Sequence, residues 1–192
     1  MKTRRCGSFI AAALVAVLCI SSCARAETQD APFDLSEYQS RIDELGIPTM
    51  ASVKEIADQA QAAFANGQHE EAVPLLREWA KKANWLANMI SAGLEPFYNA
   101  SYDEKKSFSF SRITVLGVYE RIANELKIQR NHAFILEAEC HVALQHPNDA
   151  VSLYMKALDL LDVKDWDWWL RAANGLYSIV GVAPIVEPGK KK

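Results

Sequence analysis

The stretch from Phe134 to Trp168, FILEAECHVALQHPNDAVSLYMKALDLLDVKDWDW, decides the fold. Phe134, Ile135, Ala138 and Val142 fall at helical spacing, and Ala150, Tyr154 and Ala157 follow at steps of four and three on one face of a second helix. Between them His146-Pro147-Asn148-Asp149 makes a turn, with Asp149 placed for the positive N-terminus of the helix that follows. Phe134 and Ala138 then recur 34 residues later as Trp168 and Ala172. The stretch reads as a helix pair followed by the first helix of another.

The same grammar appears upstream. Ser52-Val53-Lys54-Glu55 has capping-box form, in which a serine accepts a backbone N–H and a glutamate reaches back, so a helix is predicted to begin there. Ile56, Ala60, Ala63 and Phe64 make its apolar stripe, and Asn66-Gly67 ends it, since glycine accepts the left-handed conformation common at helix ends. A second helix runs from Glu70 to Trp79, with Pro74 placed near its start, where a missing N–H costs little. Phe64, Gly67, Ala72 and Leu76, with the 34-residue recurrence, resemble the tetratricopeptide repeat. The resemblance implies an all-α, right-handed superhelical stack of about three helix hairpins with a leading and a terminal helix. It also implies a concave surface lined by first helices, and a protein or peptide partner.

Outward from these hairpins the pattern loosens. Leu35, Tyr38, Ile42 and Leu45 predict a short leading helix stopped by Gly46 and Pro48, expected to cover the open edge of the array. A helix is predicted to start near Asn84 and run through Trp85, Leu86, Met89 and Ile90 to Gly93 and Pro96. Ala72 and Ala150 lie 78 residues apart, more than two repeats, so an insertion is placed at 96–110 among Phe97, Tyr98, Tyr102, Phe108 and Phe110. Ser101-Tyr102-Asp103-Glu104 is a second capping box, and Ile113, Leu116, Tyr119, Ile122, Ala123 and Leu126 form an apolar stripe. Asn131 or His132 is expected to open the hairpin quoted above. Asp165 is expected to cap a last helix from Trp166 to about Val180, whose inner face is Trp168, Trp169, Ala172, Leu176, Ile179 and Val180. Strand-type alternation is absent, so a single all-helical domain is expected over 34–183, with a linker at 27–33 and a flexible tail at 184–192.

The first 26 residues read as an export signal: Lys2, Arg4 and Arg5 precede the apolar run Phe9 to Ile20, and Ala24-Arg25-Ala26 offers a cleavage site. Ile20-Ser21-Ser22-Cys23 also has lipobox form, which would make Cys23 an acylated N-terminus. The two alternatives give a soluble exported protein, periplasmic or secreted, or an anchored lipoprotein whose Ala24 resembles the outer-membrane sorting pattern. Removing those residues takes away four of 21 basic residues and none of 24 acidic ones, leaving 17 against 24 and a net charge of −7. That balance argues against nucleic acid as a partner. Only Cys140 of four cysteines lies outside the signal, and its place in an apolar helix predicts a buried, inert thiol.

No sequence pattern for catalysis stands out. There is no Gly-x-Ser-x-Gly elbow and no glycine-rich phosphate loop. Glu137 and His141 share a helix face, but no second His-x-x-x-His or Cys partner accompanies them, so no metal site or cofactor is expected. Asp165 and Asp167 flank tryptophans, which leaves a helical enzyme or carbohydrate-processing domain as the alternative; helix-start carboxylates are the simpler reading. Trp166 and Tyr177, at the margin of the last helix, and Tyr102 in the insertion are the candidate partner-binding residues, since rigid aromatics bind at low entropy cost.

Overall fold

A computed structural model describes residues 36–162 and 164–186. Every regular element among them is helical: α1 Ser36–Leu45, α2 Met50–Ala65, α3 His69–Tyr98, α4 Tyr102–Lys106, α5 Phe110–Ala143, α6 Pro147–Leu160 and α7 Trp166–Ile179. The export signal, Cys23 and the linker at 27–33 lie outside the described residues. No helix among those described is long and apolar enough to cross a membrane.

Neighbours pack in order, α2 on α3, α3 on α5, α5 on α6 and α6 on α7, and α7 also reaches back to α5. Contact surfaces are rich in alanine: Ala60, Ala72, Ala83, Ala133, Ala138, Ala150, Ala157 and Ala172 are wholly buried, which lets helix axes approach closely. Two apolar clusters result, one among α2, α3 and α5 and one among α5, α6 and α7. Phe134 and Trp168 pack against both, so the two residues that share the 34-residue spacing join the two halves of the core.

Two helix ends share one backbone geometry. At the end of α2, Gly67 has φ +73°, with Gln68 N–H donating to Ala63 C=O and Gly67 N–H to Phe64 C=O, both at 3.0 Å. At the end of α5, Gln145 has φ 61°, with His146 N–H donating to His141 C=O (2.8 Å) and Gln145 N–H to Val142 C=O (3.1 Å). Both are Schellman turns. The 78-residue offset that relates them also pairs Val53 with Asn131, Ala60 with Ala138, Ala72 with Ala150 and Leu76 with Tyr154, every one buried.

Several helix limits differ from the sequence reading. The α2 cap is Thr49: its Oγ1 accepts from Ser52 N–H (3.1 Å) and Ser52 Oγ accepts from Thr49 N–H (2.9 Å), so Ser52 closes the box instead of opening it. No break occurs near Asn84, because Ala83, Trp85, Leu86 and Ala87 are all buried by a helix that continues. Nor does Asn131 open a helix; it sits inside α5, and its Nδ2 donates to Leu160 C=O (2.9 Å), capping the far end of α6. The expected middle hairpin is therefore a continuation of α3 and α5, which reach about 45 and 51 Å at 1.5 Å per residue. Ile113 and Tyr119 stay exposed there, as do Val142 and Val180, all expected inside. Pro74 is the sixth residue of α3, past the first turn, and deprives Glu70 C=O of its helical donor.

The ends also depart from expectation. Gly46 (φ +67°) stops α1 as predicted, but α1 has no extended packing with another helix among the described residues; Lys81 Nζ ties it to α3 through Glu44 (2.8 Å). The start of the tail is held in place. Ile185 N–H donates to Asn174 Oδ1 (2.7 Å), and Asn174 Nδ2 donates to Ile185 C=O (3.2 Å).

Candidate functional site

The three candidate partner-binding residues do not meet. Trp166 is 45% exposed and stacks on Trp169, ring centroids 5.0 Å apart. Tyr177 is half-buried and eleven residues further on, about 16 Å along the helix axis. Tyr102 begins α4, an element that does not pack along α7, and lies under the Lys106 ammonium (4.2 Å). Asp165 is the N-cap residue of α7, and Asp167 is exposed in its first turn, where carboxylates complement a helix N-terminus.

Three helices instead enclose a groove of about 610 Å³. Arg77, Lys81 and Asn84 enter it from α3, Arg130, Phe134, Glu137 and His141 from α5, and Asp149 and Lys156 from α6. Its floor is an ion pair: Glu137, 3% exposed, accepts from Arg77 Nε (3.1 Å) and Nη2 (2.8 Å) through one carboxylate oxygen. Two further cations face the groove without a carboxylate partner among the described residues. Arg130 Nη1 donates to Asn84 Oδ1 (2.6 Å), while its Nε and Nη2 both donate to Asn131 Oδ1 (3.0 Å); burial depresses its pKa from the usual guanidinium value. Lys156 Nζ lies over the Phe134 ring, 4.4 Å from its centroid.

Arg130 is held by amides and not by an acid, so its positive charge remains uncompensated. With Arg77 paired to Glu137 and Lys81 to Glu44, Arg130 and Lys156 stand against Asp149 alone among the lining residues. The groove is electropositive on a chain that is acidic as a whole. Sequence reading missed it because the lining residues are ordinary surface cations until three helices bring them together.

A second cluster lies where α2, α5 and α7 meet. His132 stacks on Trp168 at 3.9 Å, and Arg171 lies over the Trp168 ring while donating to both carboxylate oxygens of Glu139 (2.5 and 2.6 Å). Burial, with the nearby Arg171 charge, pushes the His132 pKa down to about 4. Cys140 is buried as predicted, and burial, then the charges of Glu139 and Glu137, push its thiol up to about 11. A thiol held protonated is a poor nucleophile.

Comparison with models of known protein families, with characterised proteins and with solved structures finds no match to this chain.

At the turn joining α5 to α6, His141, His146 and Asp149 place one donor atom each within 4.8 Å of one another. Glu137 and His141 do share a face, with Oε1 3.8 Å from Nε2. The residues that join them come from the turn itself, and a His-x₄-His-x₂-Asp pattern straddling a helix end is the signal that marks them.

Proposed function

We propose that this chain is a non-catalytic, exported binding scaffold, a tetratricopeptide-like superhelical array whose groove between α3, α5 and α6 takes an extended acidic segment of a protein partner. The observation that carries this reading is the pair of cations, Arg130 and Lys156, facing a concave groove without carboxylate partners among the described residues. An unpaired cation in a concave, partly desolvated setting attracts a carboxylate more strongly than one on an open surface, and Arg130 is pre-oriented by Asn84 and Asn131. The array reading is supported by the 78-residue repetition of turn, close-contact alanine and large core residue, and by the 34-residue recurrence from Ala138 to Ala172. The envelope of a bacterial cell, reached as a free periplasmic protein or through an acylated Cys23, is the compartment that the leader favours.

Fluorescence anisotropy with labelled Asp/Glu-rich decapeptides, set against Lys-rich and neutral ones, tests this. Acidic peptides should bind best, and their affinity should fall as salt screens the charges. Lys156→Glu, at an exposed position, should weaken binding by roughly tenfold or more, as expected for a reversed charge at a cation-lined groove. Equal binding of all three peptide classes, or an unaffected Lys156→Glu variant, would remove the groove from the proposal.

A further inference from the structure

We infer that His141, His146 and Asp149 form a binding site for one divalent transition-metal ion of the zinc class. Backbone geometry fixes the arrangement. In the Schellman turn ending α5, the hydrogen bond from His146 N–H to His141 C=O (2.8 Å) sets those two residues side by side. Asp149, in the first turn of α6, lies three residues beyond His146 and so returns to the same side.

The second observation concerns His141 itself. It is 8% exposed, and its buried Nδ1 has no hydrogen-bond partner. Asp149 Oδ2 faces that nitrogen at 3.9 Å, too far for a hydrogen bond. On the other edge of the ring, Nε2 faces Glu137 Oε1 at 3.8 Å, and Glu137 is in turn held by Arg77. A metal on Nδ1 would leave Nε2–H facing the Glu137 carboxylate, an outer-shell partner of the kind that orients metal-bound imidazoles.

Tetrahedral zinc with bonds of about 2.1 Å needs donor atoms about 3.4 Å apart. Rotation of His146 and Asp149, both exposed, closes the present 4.8 Å while His141 stays fixed. Two imidazoles with one carboxylate select a borderline transition ion over calcium or magnesium, which prefer oxygen. The first hairpin supplies an internal comparison. At the equivalent positions it carries Ala63, Gln68 and Glu71, where Gln68 Nε2 donates to Glu71 (2.8 Å), a self-satisfied pair on the same backbone. His141 and Asp149 also line the groove, so a bound ion would add positive charge at its end.

Calorimetric titration of Zn²⁺ into the tag-free, chelator-treated chain tests the site. One equivalent should bind, and His146→Ala and Asp149→Asn, both at exposed positions, should each weaken binding by roughly tenfold or more, with far-UV circular dichroism unchanged. His69→Gln removes an imidazole outside the set and should leave the affinity intact. Imidazole ¹⁵N spectra should show the metal on His141 Nδ1. Absence of saturable binding up to about 100 µM Zn²⁺, or binding that survives both exposed substitutions, would overturn the assignment. Because Zn²⁺ alone is the probe, the result is independent of whether the groove takes an acidic peptide.

Discussion

Replacing Gly175 with alanine should destabilise the protein, although alanine is the better helix former. Gly175 lies inside α7, where glycine costs about 1 kcal/mol relative to alanine. A Cβ at that position would sit 2.5 Å from the Tyr154 hydroxyl oxygen and 2.8 Å from its Cε1. Ordinary carbon contacts are about 3.5–4.0 Å. Tyr154 is 2% exposed and packed in the second apolar cluster, so its ring cannot swing into solvent. Overpacking of this kind costs about 1–3 kcal/mol, which leaves a net loss of up to about 2 kcal/mol after the propensity gain. In a Tyr154→Leu background, itself less stable by about 2 kcal/mol, the obstructing ring is gone and the same change should stabilise by up to about 1 kcal/mol. Urea denaturation of all four proteins, followed by far-UV circular dichroism, measures the cycle; the coupling should be about 1–3 kcal/mol. Gly175→Ala raising the stability of the wild-type chain, or having equal effects in both backgrounds, would refute contact between the α7 backbone and the ring.

Two further outcomes follow from the same packing. His132, whose folded pKa of about 4 lies below the unfolded value of 6.5, makes the unfolded state bind more protons between those limits, so stability is fully present above pH 6.5 and falls as pH drops toward 4. The full shift corresponds to about 3 kcal/mol, reduced to roughly half by solvent screening; an NMR titration of His132 near 6.5, or a His132→Gln variant with an unchanged pH slope, would contradict it. Gln145→Gly should raise the midpoint of thermal unfolding by about 2–4 °C, because a left-handed glutamine costs about 1–2 kcal/mol and glycine gives back part of that as unfolded-state entropy; an unchanged or lower midpoint would count against strain at that turn.

Much of the helical framework is legible in the sequence, for local reasons. Helical periodicity marks Ala150, Tyr154 and Ala157 as one buried face, and Gly46 and Gly67 mark helix ends, because spacing and left-handed backbone are properties of neighbouring residues. Errors arise where a residue has two local uses. Asn131 was expected to start a helix because asparagine favours caps; it does cap one, but the end of α6, 29 residues away. Asn174 of α7 takes up the backbone of Ile185 in the segment after the helix, a contact that helical spacing does not encode. Val142 satisfies the inward spacing of α5 and is nonetheless exposed, while Cys140 and His141 just before it are buried.

By itself the sequence determined the helical class, the spacing that unites Phe134 with Trp168, and the buried state of Cys140, all of which follow from apolar period and local backbone preference. Tertiary structure alone decided whether α3 and α5 would break near Asn84 and Asn131, since a helix continues when the buried side chains on both sides of a weak point find partners. It also decided the groove of Arg77, Lys81, Arg130 and Lys156 and the meeting of His141, His146 and Asp149. Charges and ligands on separate helices act together only through space, and chain spacing does not encode the distances between them.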